Sequence, residues 1–239
     1  MRRNRNAFTM LELILVIVVM GIIAANVMPR LKRDTRAEAI NHMLTMIRYT
    51  QNLALHDSKH SDNPNEINWQ RSFWRFQIYK CSNKSGLYYQ IGSDLNYDSS
   101  ITINETAIDP SNGKNTFWSG AQPCPKNLEN AGAAAQTLSD RVSPNIFITQ
   151  KYGINDVSFS SCQIMEDGTS KGSTVKHIGY DNFGRPYKSY TEKNRPIYNG
   201  LTKTDCKIEF ELNNNGDNNF TIVIPPESGY AYLEENPNL

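Results

Sequence analysis

The chain has 239 residues, 38% of them hydrophobic and 21% charged, with 25 basic and 24 acidic side chains for a net charge of +1. That length admits one large domain or two small ones, and the near balance of charge excludes the basic footprint of a nucleic-acid binder. The four cysteines are widely spaced with no Cys-x-x-Cys pair, which argues against a zinc site.

Arg2, Arg3 and Arg5 form a short basic leader, and an apolar run over residues 8–28 follows it, interrupted near its start by Glu12. As a helix this run is about 31 Å long, close to the thickness of a hydrocarbon core. An unpaired acid within a lipid-spanning helix costs about 2.5–3.5 kcal/mol on insertion scales, so Glu12 calls for a function. An ordinary secretory signal has its cut after the apolar core. Ala24-Ala25-Asn26 is the nearest match to such a cut, and it leaves Glu12 unexplained.

The run Ala7-Phe8-Thr9-Met10-Leu11-Glu12-Leu13 resembles the N-terminus of type IV prepilins and type II secretion pseudopilins. The resemblance implies cleavage after Ala7 by a prepilin peptidase, methylation of the new amine on Phe8, and use of Glu12 in helix pairing and filament assembly. Gly21 and Pro29 stand where that family often has its helix-weakening residues, while Ala7 replaces the commoner glycine at the cut. Removal of the leader would take three of the 25 basic residues and leave two acids in excess.

Pro29 is expected to kink the helix without ending it, because a helical period resumes beyond. Ala37, Ile40, Met43, Leu44 and Ile47 recur at three- and four-residue steps, with Arg36, Glu38, Asn41, His42 and Arg48 mainly between them. This amphipathic half needs a partner surface and should end near residues 56–60. The domain organisation is thus a leader over 1–7, a membrane half-helix over 8–28, an amphipathic half over 29–60 and a β-rich globular part over 61–239.

From there the period changes to two. Residues 73–79 alternate Trp74, Phe76 and Ile78 against Phe73, Arg75, Gln77 and Tyr79, which reads as a strand with one apolar face. Residues 87–91 return as its hairpin partner. Further strands are expected at 101–103, 146–148, 157–162, 175–180, 206–212, 220–224 and 230–233, with Asn215-Gly216 as a hairpin turn. Residues 107–144, rich in small and polar types, read as a long excursion. The fold class is α+β: a long N-terminal helix packed against antiparallel sheets, as in pilins.

An exported domain lies in an oxidising space, where an even cysteine count suits disulfides. Of the three possible pairings, Cys81 with Cys124 and Cys162 with Cys206 link neighbouring segments; four buried thiols are the alternative.

Other motifs carry less. His56 and His60 are spaced to share a metal on a helix face, but they fall where the helix runs out, and a solvated end suffices. Gly168-Thr169-Ser170-Lys171-Gly172 fits a nucleophile elbow, yet no acid lies between Ser170 and His177, the only later histidine. Asn213-Asn214-Asn215-Gly216-Asp217 has one carboxylate, too few for calcium. Asp181-Asn182-Phe183-Gly184-Arg185-Pro186 reads as a turn. No metal, cofactor or enzymatic activity is expected.

The resemblance implies a minor pseudopilin or minor pilin of the bacterial inner membrane, single-pass with a periplasmic domain, entering a periplasm-spanning or surface filament. Its partners would be other pilins or pseudopilins, the prepilin peptidase/methyltransferase, the assembly platform and membrane lipid. The layout and residues 48–55 most resemble H-type pseudopilins; tip subunits of the K type commonly lack the membrane acid. The alternative is a DNA-binding minor pilin for natural transformation. Relatives of that kind use a basic C-terminal motif, whereas Gly229-Tyr230-Ala231-Tyr232 has no arginine and no basic residue follows Lys207. Phosphate binding needs the opposite charge.

Overall fold

A computed structural model describes residues 10–27, 34–63, 68–82, 86–125, 128, 140–160, 176–187, 200–212 and 219–234. The chain divides into two compact units, Met1–Thr35 and Arg36–Leu239. In the first, α1 spans Met10–Val27 with Glu12 in its first turn. It is apolar all round, so no single face is marked for a core. At 18 residues it is about 27 Å long. Among the described residues no helix is long and apolar enough to cross a membrane. Phe8, Thr9, Met28 and Pro29 lie outside them, so the expected kink does too.

The second unit is built on α2, Thr35–His56. Its buried stripe is Ala39, Ile40, Met43, Met46, Ile47, Thr50, Gln51 and Ala54. The stripe is rotated from the expected one, since Ala37 is exposed and Leu44 only half buried. Two polar residues enter because each finds partners. Thr50 Oγ1 donates to Met46 O at 2.8 Å, and Gln51 Nε2 donates to Gly184 O at 2.9 Å and Ser228 O at 2.7 Å.

Eight strands follow: β1 Trp74–Lys80, β2 Leu87–Gly92, β3 Ile154–Ser160, β4 Lys176–Tyr180, β5 Pro186–Tyr187, β6 Cys206–Leu212, β7 Phe220–Ile224 and β8 Tyr232–Leu233. They form two antiparallel four-stranded sheets, ordered β2-β1-β4-β5 and β3-β6-β7-β8. In the register of the first, Gln77 lies opposite both Gln90 and His177. The second shows the alternation that half-buried strands require: β6 buries Cys206, Ile208, Phe210 and Leu212 and exposes Lys207, Glu209 and Glu211. One contiguous core joins the α2 stripe to Phe76, Tyr89, Ile91 and Ile178 of the first sheet and to Ile154, Val157, Phe210 and Ile222 of the second.

Three expectations are corrected. Residues 101–103 are not a strand; Ile103–Glu105 is a 3-10 turn, held by a capping box between Thr102 and Glu105. Nor are residues 146–148. A 3-10 turn at Pro144–Ile146 and a short helix, α3 at Ile148–Tyr152, replace the expected strand, because Pro144 presets the first and Gly153, with φ 72°, stops the second. The polar side of the first sheet is not solvent-facing. Arg75, Gln77, Gln90 and His177 are all buried, and the chain after β2 folds back over it, Gln90 Nε2 donating to Ile101 O at 3.3 Å.

Cys81 and Cys124 form a disulfide with Cα atoms 5.4 Å apart, tying the end of β1 to the long excursion. Cys206 is also disulfide-bonded, while Cys162 lies outside the described residues.

Candidate functional site

Glu12 sits on an exposed apolar helix whose neighbours Leu11, Leu13, Ile14, Leu15 and Val16 are all exposed. A helix so covered in unburied aliphatic surface is built for lipid or for other helices. Gly21 has open space where a Cβ would be, nothing lying within 4 Å. Glycine there weakens the helix by roughly 1 kcal/mol relative to alanine. Ala7 and Phe8, at the expected cut, lie outside the described residues.

The other sequence candidates do not assemble into a catalytic site. α2 stops at His56, so His60 is off the helix. His56 Nδ1 is 2.8 Å from Asn52 O, while the His60 ring packs edge-on to Trp69 and its Nδ1 is 3.4 Å from Asp62. Residues 168–172 and 213–217 lie outside the described residues. His177 is buried in the first sheet, and burial, with the Arg75 guanidinium nearby, lowers its pKa to about 3. His42 is packed between Tyr152 and Tyr89, its Nε2 3.0 Å from the Tyr89 hydroxyl, and burial lowers it to about 4. Both are neutral packing groups at physiological pH. Asp181 anchors its turn, accepting from Phe183 N and Arg185 N and pairing with the Arg185 guanidinium at 2.8 Å. The aromatic residues Trp69, Phe73 and Tyr187 stack edge-on in a small satellite core.

One loop was overlooked in the sequence, although its spacing is visible there. Asp94, Asn96, Asp98 and Glu105 occupy the first, third, fifth and twelfth positions of a twelve-residue stretch. Buried Asp94 accepts from Asp98 N at 3.1 Å and Ser99 N at 3.0 Å, and its Oδ2 is 3.7 Å from the Arg75 guanidinium. Asn96 Oδ1 accepts from Asp98 N at 3.1 Å, and Asp98 Oδ1 accepts from Ser100 N and Ser100 Oγ, both at 2.7 Å. Glu105 closes the stretch, its Oε1 accepting from Leu95 N at 3.0 Å and its Oε2 from Thr102 N at 2.9 Å. Burial pushes the Glu105 carboxyl up, but these hydrogen bonds outweigh it and hold the group below the usual range.

Comparison with known proteins adds one finding. Residues 2–25 match the family model described as the prokaryotic N-terminal methylation motif. No curated protein and no solved structure matches the chain. The match covers the basic leader, the Ala7 to Phe8 junction and Glu12 together. It implies processing by a prepilin peptidase, anchoring through the N-terminal helix and assembly with pilins. The chain therefore carries a prepilin-type N-terminus, which indicates the type IV pilin and pseudopilin family.

Proposed function

We propose that this protein is a minor pseudopilin or minor pilin, a structural subunit of a type II secretion pseudopilus or type IV pilus-like filament that supports protein secretion. Residues 8–28 hold it in the bacterial inner membrane. The peptidase cuts after Ala7, the Phe8 amine is methylated, and the inner-membrane platform draws the helix into the filament. Glu12 carries this reading: a single acid in the first turn of an otherwise apolar helix, just beyond the matched leader. Cleavage creates an amine four residues from it. A carboxylate costly in lipid is then neutralised by its own or a neighbouring subunit's amine, which rewards assembly and sets the register between helices. The α2-and-sheets unit supports the same reading, and its layout favours the H type. Cys206 is assigned to Cys162. The protein performs no chemistry of its own.

N-terminal mass analysis of protein taken from membranes tests this. Methylated Phe8 is the expected terminus, and a mature chain starting near Asn26 would overturn it. The DNA-capture alternative meets an acidic β6, where Glu209 and Glu211 are exposed. Saturable duplex binding tighter than about micromolar, beyond ordinary non-specific affinity, would favour that alternative.

A further inference from the structure

We propose that residues 94–105 bind a calcium ion, through Asp94, Asn96, Asp98, the main-chain carbonyl of Ser100 and Glu105. The inference is independent of the filament reading. Its first support is linear: Asp-x-Asn-x-Asp-Ser followed by five residues and Glu is the ligand spacing of an EF-hand calcium loop, with serine at the sixth position in place of glycine. That template is a mixed donor set, two aspartates, an amide, a carbonyl and a glutamate at fixed steps. It is the oxygen-only chemistry a hard cation of six to eight ligands requires.

The coordinates support it separately. The sixth position of such a loop needs a sharp left-handed turn, normally supplied by glycine. Ser99 adopts it, with φ 77°, although it is not glycine. The twelfth residue must return to the first. Glu105 does so, its carboxylate bonded to Leu95 N, next to Asp94, and locked by the capping box with Thr102 at the ninth position. Asp94 and Glu105 are buried at the base of the loop, while Asn96 and Asp98 are exposed at its mouth. An ion therefore has a solvent-side entry and a preformed floor.

Two features depart from a tight EF-hand. Strand β2 leads in and a 3-10 turn leads out, in place of two helices. The Arg75 guanidinium opposes a cation at Asp94. Among the described residues no three His, Cys, Asp or Glu side chains are grouped closely enough to hold a metal as they stand. The rearrangement required is local: the Asn96 Nδ2 to Asp98 Oδ2 hydrogen bond at 3.0 Å, on the exposed rim, is exchanged for the ion. These departures place the affinity with extracellular calcium modules, at about 0.1–1 mM. Magnesium demands tighter octahedral geometry and gives up water reluctantly, so the same loop discriminates against it.

The test uses the full chain in detergent micelles, freed of divalent ions and then titrated with calcium chloride. The expected result is a Tm rise of several degrees, half complete within about 0.1–1 mM. Terbium luminescence sensitised by Tyr97 should appear and be displaced by calcium. Asp98→Asn keeps the acceptors for Ser100 and should weaken binding at least tenfold while leaving the ion-free Tm unchanged. Asn96→Asp adds a fourth carboxylate and should tighten binding several-fold, a gain that misfolding cannot mimic. No Tm change up to 10-fold above that range, an equal response to magnesium, or no tightening in Asn96→Asp would each overturn the proposal.

Discussion

Replacing both Cys81 and Cys124 with alanine should destabilise the folded domain by about 4 kcal/mol. Their bond closes a sequence separation of 43 residues. In the chain-entropy account, a cross-link of that span removes denatured-state freedom amounting to about 4 kcal/mol at 25 °C. For a domain near 200 residues this converts to a Tm loss of roughly 8–16 °C. Alanine is the better replacement, because both sulfurs are buried and serine would add a hydroxyl to the core. The folded positions of the two residues do not depend on the bond alone. Cys81 N donates to Gly86 O at 2.8 Å, and next to it Ser82 N donates to Gln122 O at 3.1 Å, beside Cys124. The loss should therefore lie mainly in the unfolded chain, which becomes more expanded, so the urea m-value should rise with the fall in Tm. Paired thermal and urea melts of the double variant and the parent, without reductant so that Cys206 keeps its bond, measure both. A Tm change below about 2 °C with an unaltered m-value would refute the reasoning.

Glu12→Leu should keep or raise membrane abundance, because the desolvation cost disappears, yet impair filament assembly; Glu12→Gln should fall between. Secretion in cells lacking the native copy reads this, and normal assembly with leucine would sink the mechanism. Gly229→Ala should be severely destabilising, by about 4 kcal/mol or more, since φ is 64° and a Cβ would lie 1.9 Å from Gly184 O. Gly113→Ala is its control: φ is 71° but nothing lies within 4 Å, so only the backbone strain of about 1–2 kcal/mol remains; equal losses in urea melts would contradict the argument. The folded pKa values of His42 and His177, about 4 and about 3, lie below the unfolded value of 6.5. The unfolded chain then binds more protons, so stability is fully present above pH 6.5 and is lost as pH falls through the folded values. The slope tends to about 1.4 kcal/mol per pH unit for each group, and flat stability between pH 7 and pH 5 would be the contrary result.

The N-terminal segment was legible because it is local. Leader, small residue, apolar run and Glu12 lie within two dozen residues, and no distant contact is needed to interpret them. Helix and strand periods were legible for the same reason: β6 alternates in the chain as it alternates in burial. Tertiary structure decided the rest. No local pattern says that β1 pairs with β4 across a hundred residues, or that the strands divide into two sheets. Residues 101–103 and 146–148 have β-branched composition, yet a capping box and a proline turn them, since propensity is weak where a specific hydrogen bond or a fixed φ competes. Arg75, Gln77 and His177 look like a wet strand face in the chain. They are buried because a segment that begins only after β2 folds back over them, and burial depends on what arrives from elsewhere in the chain.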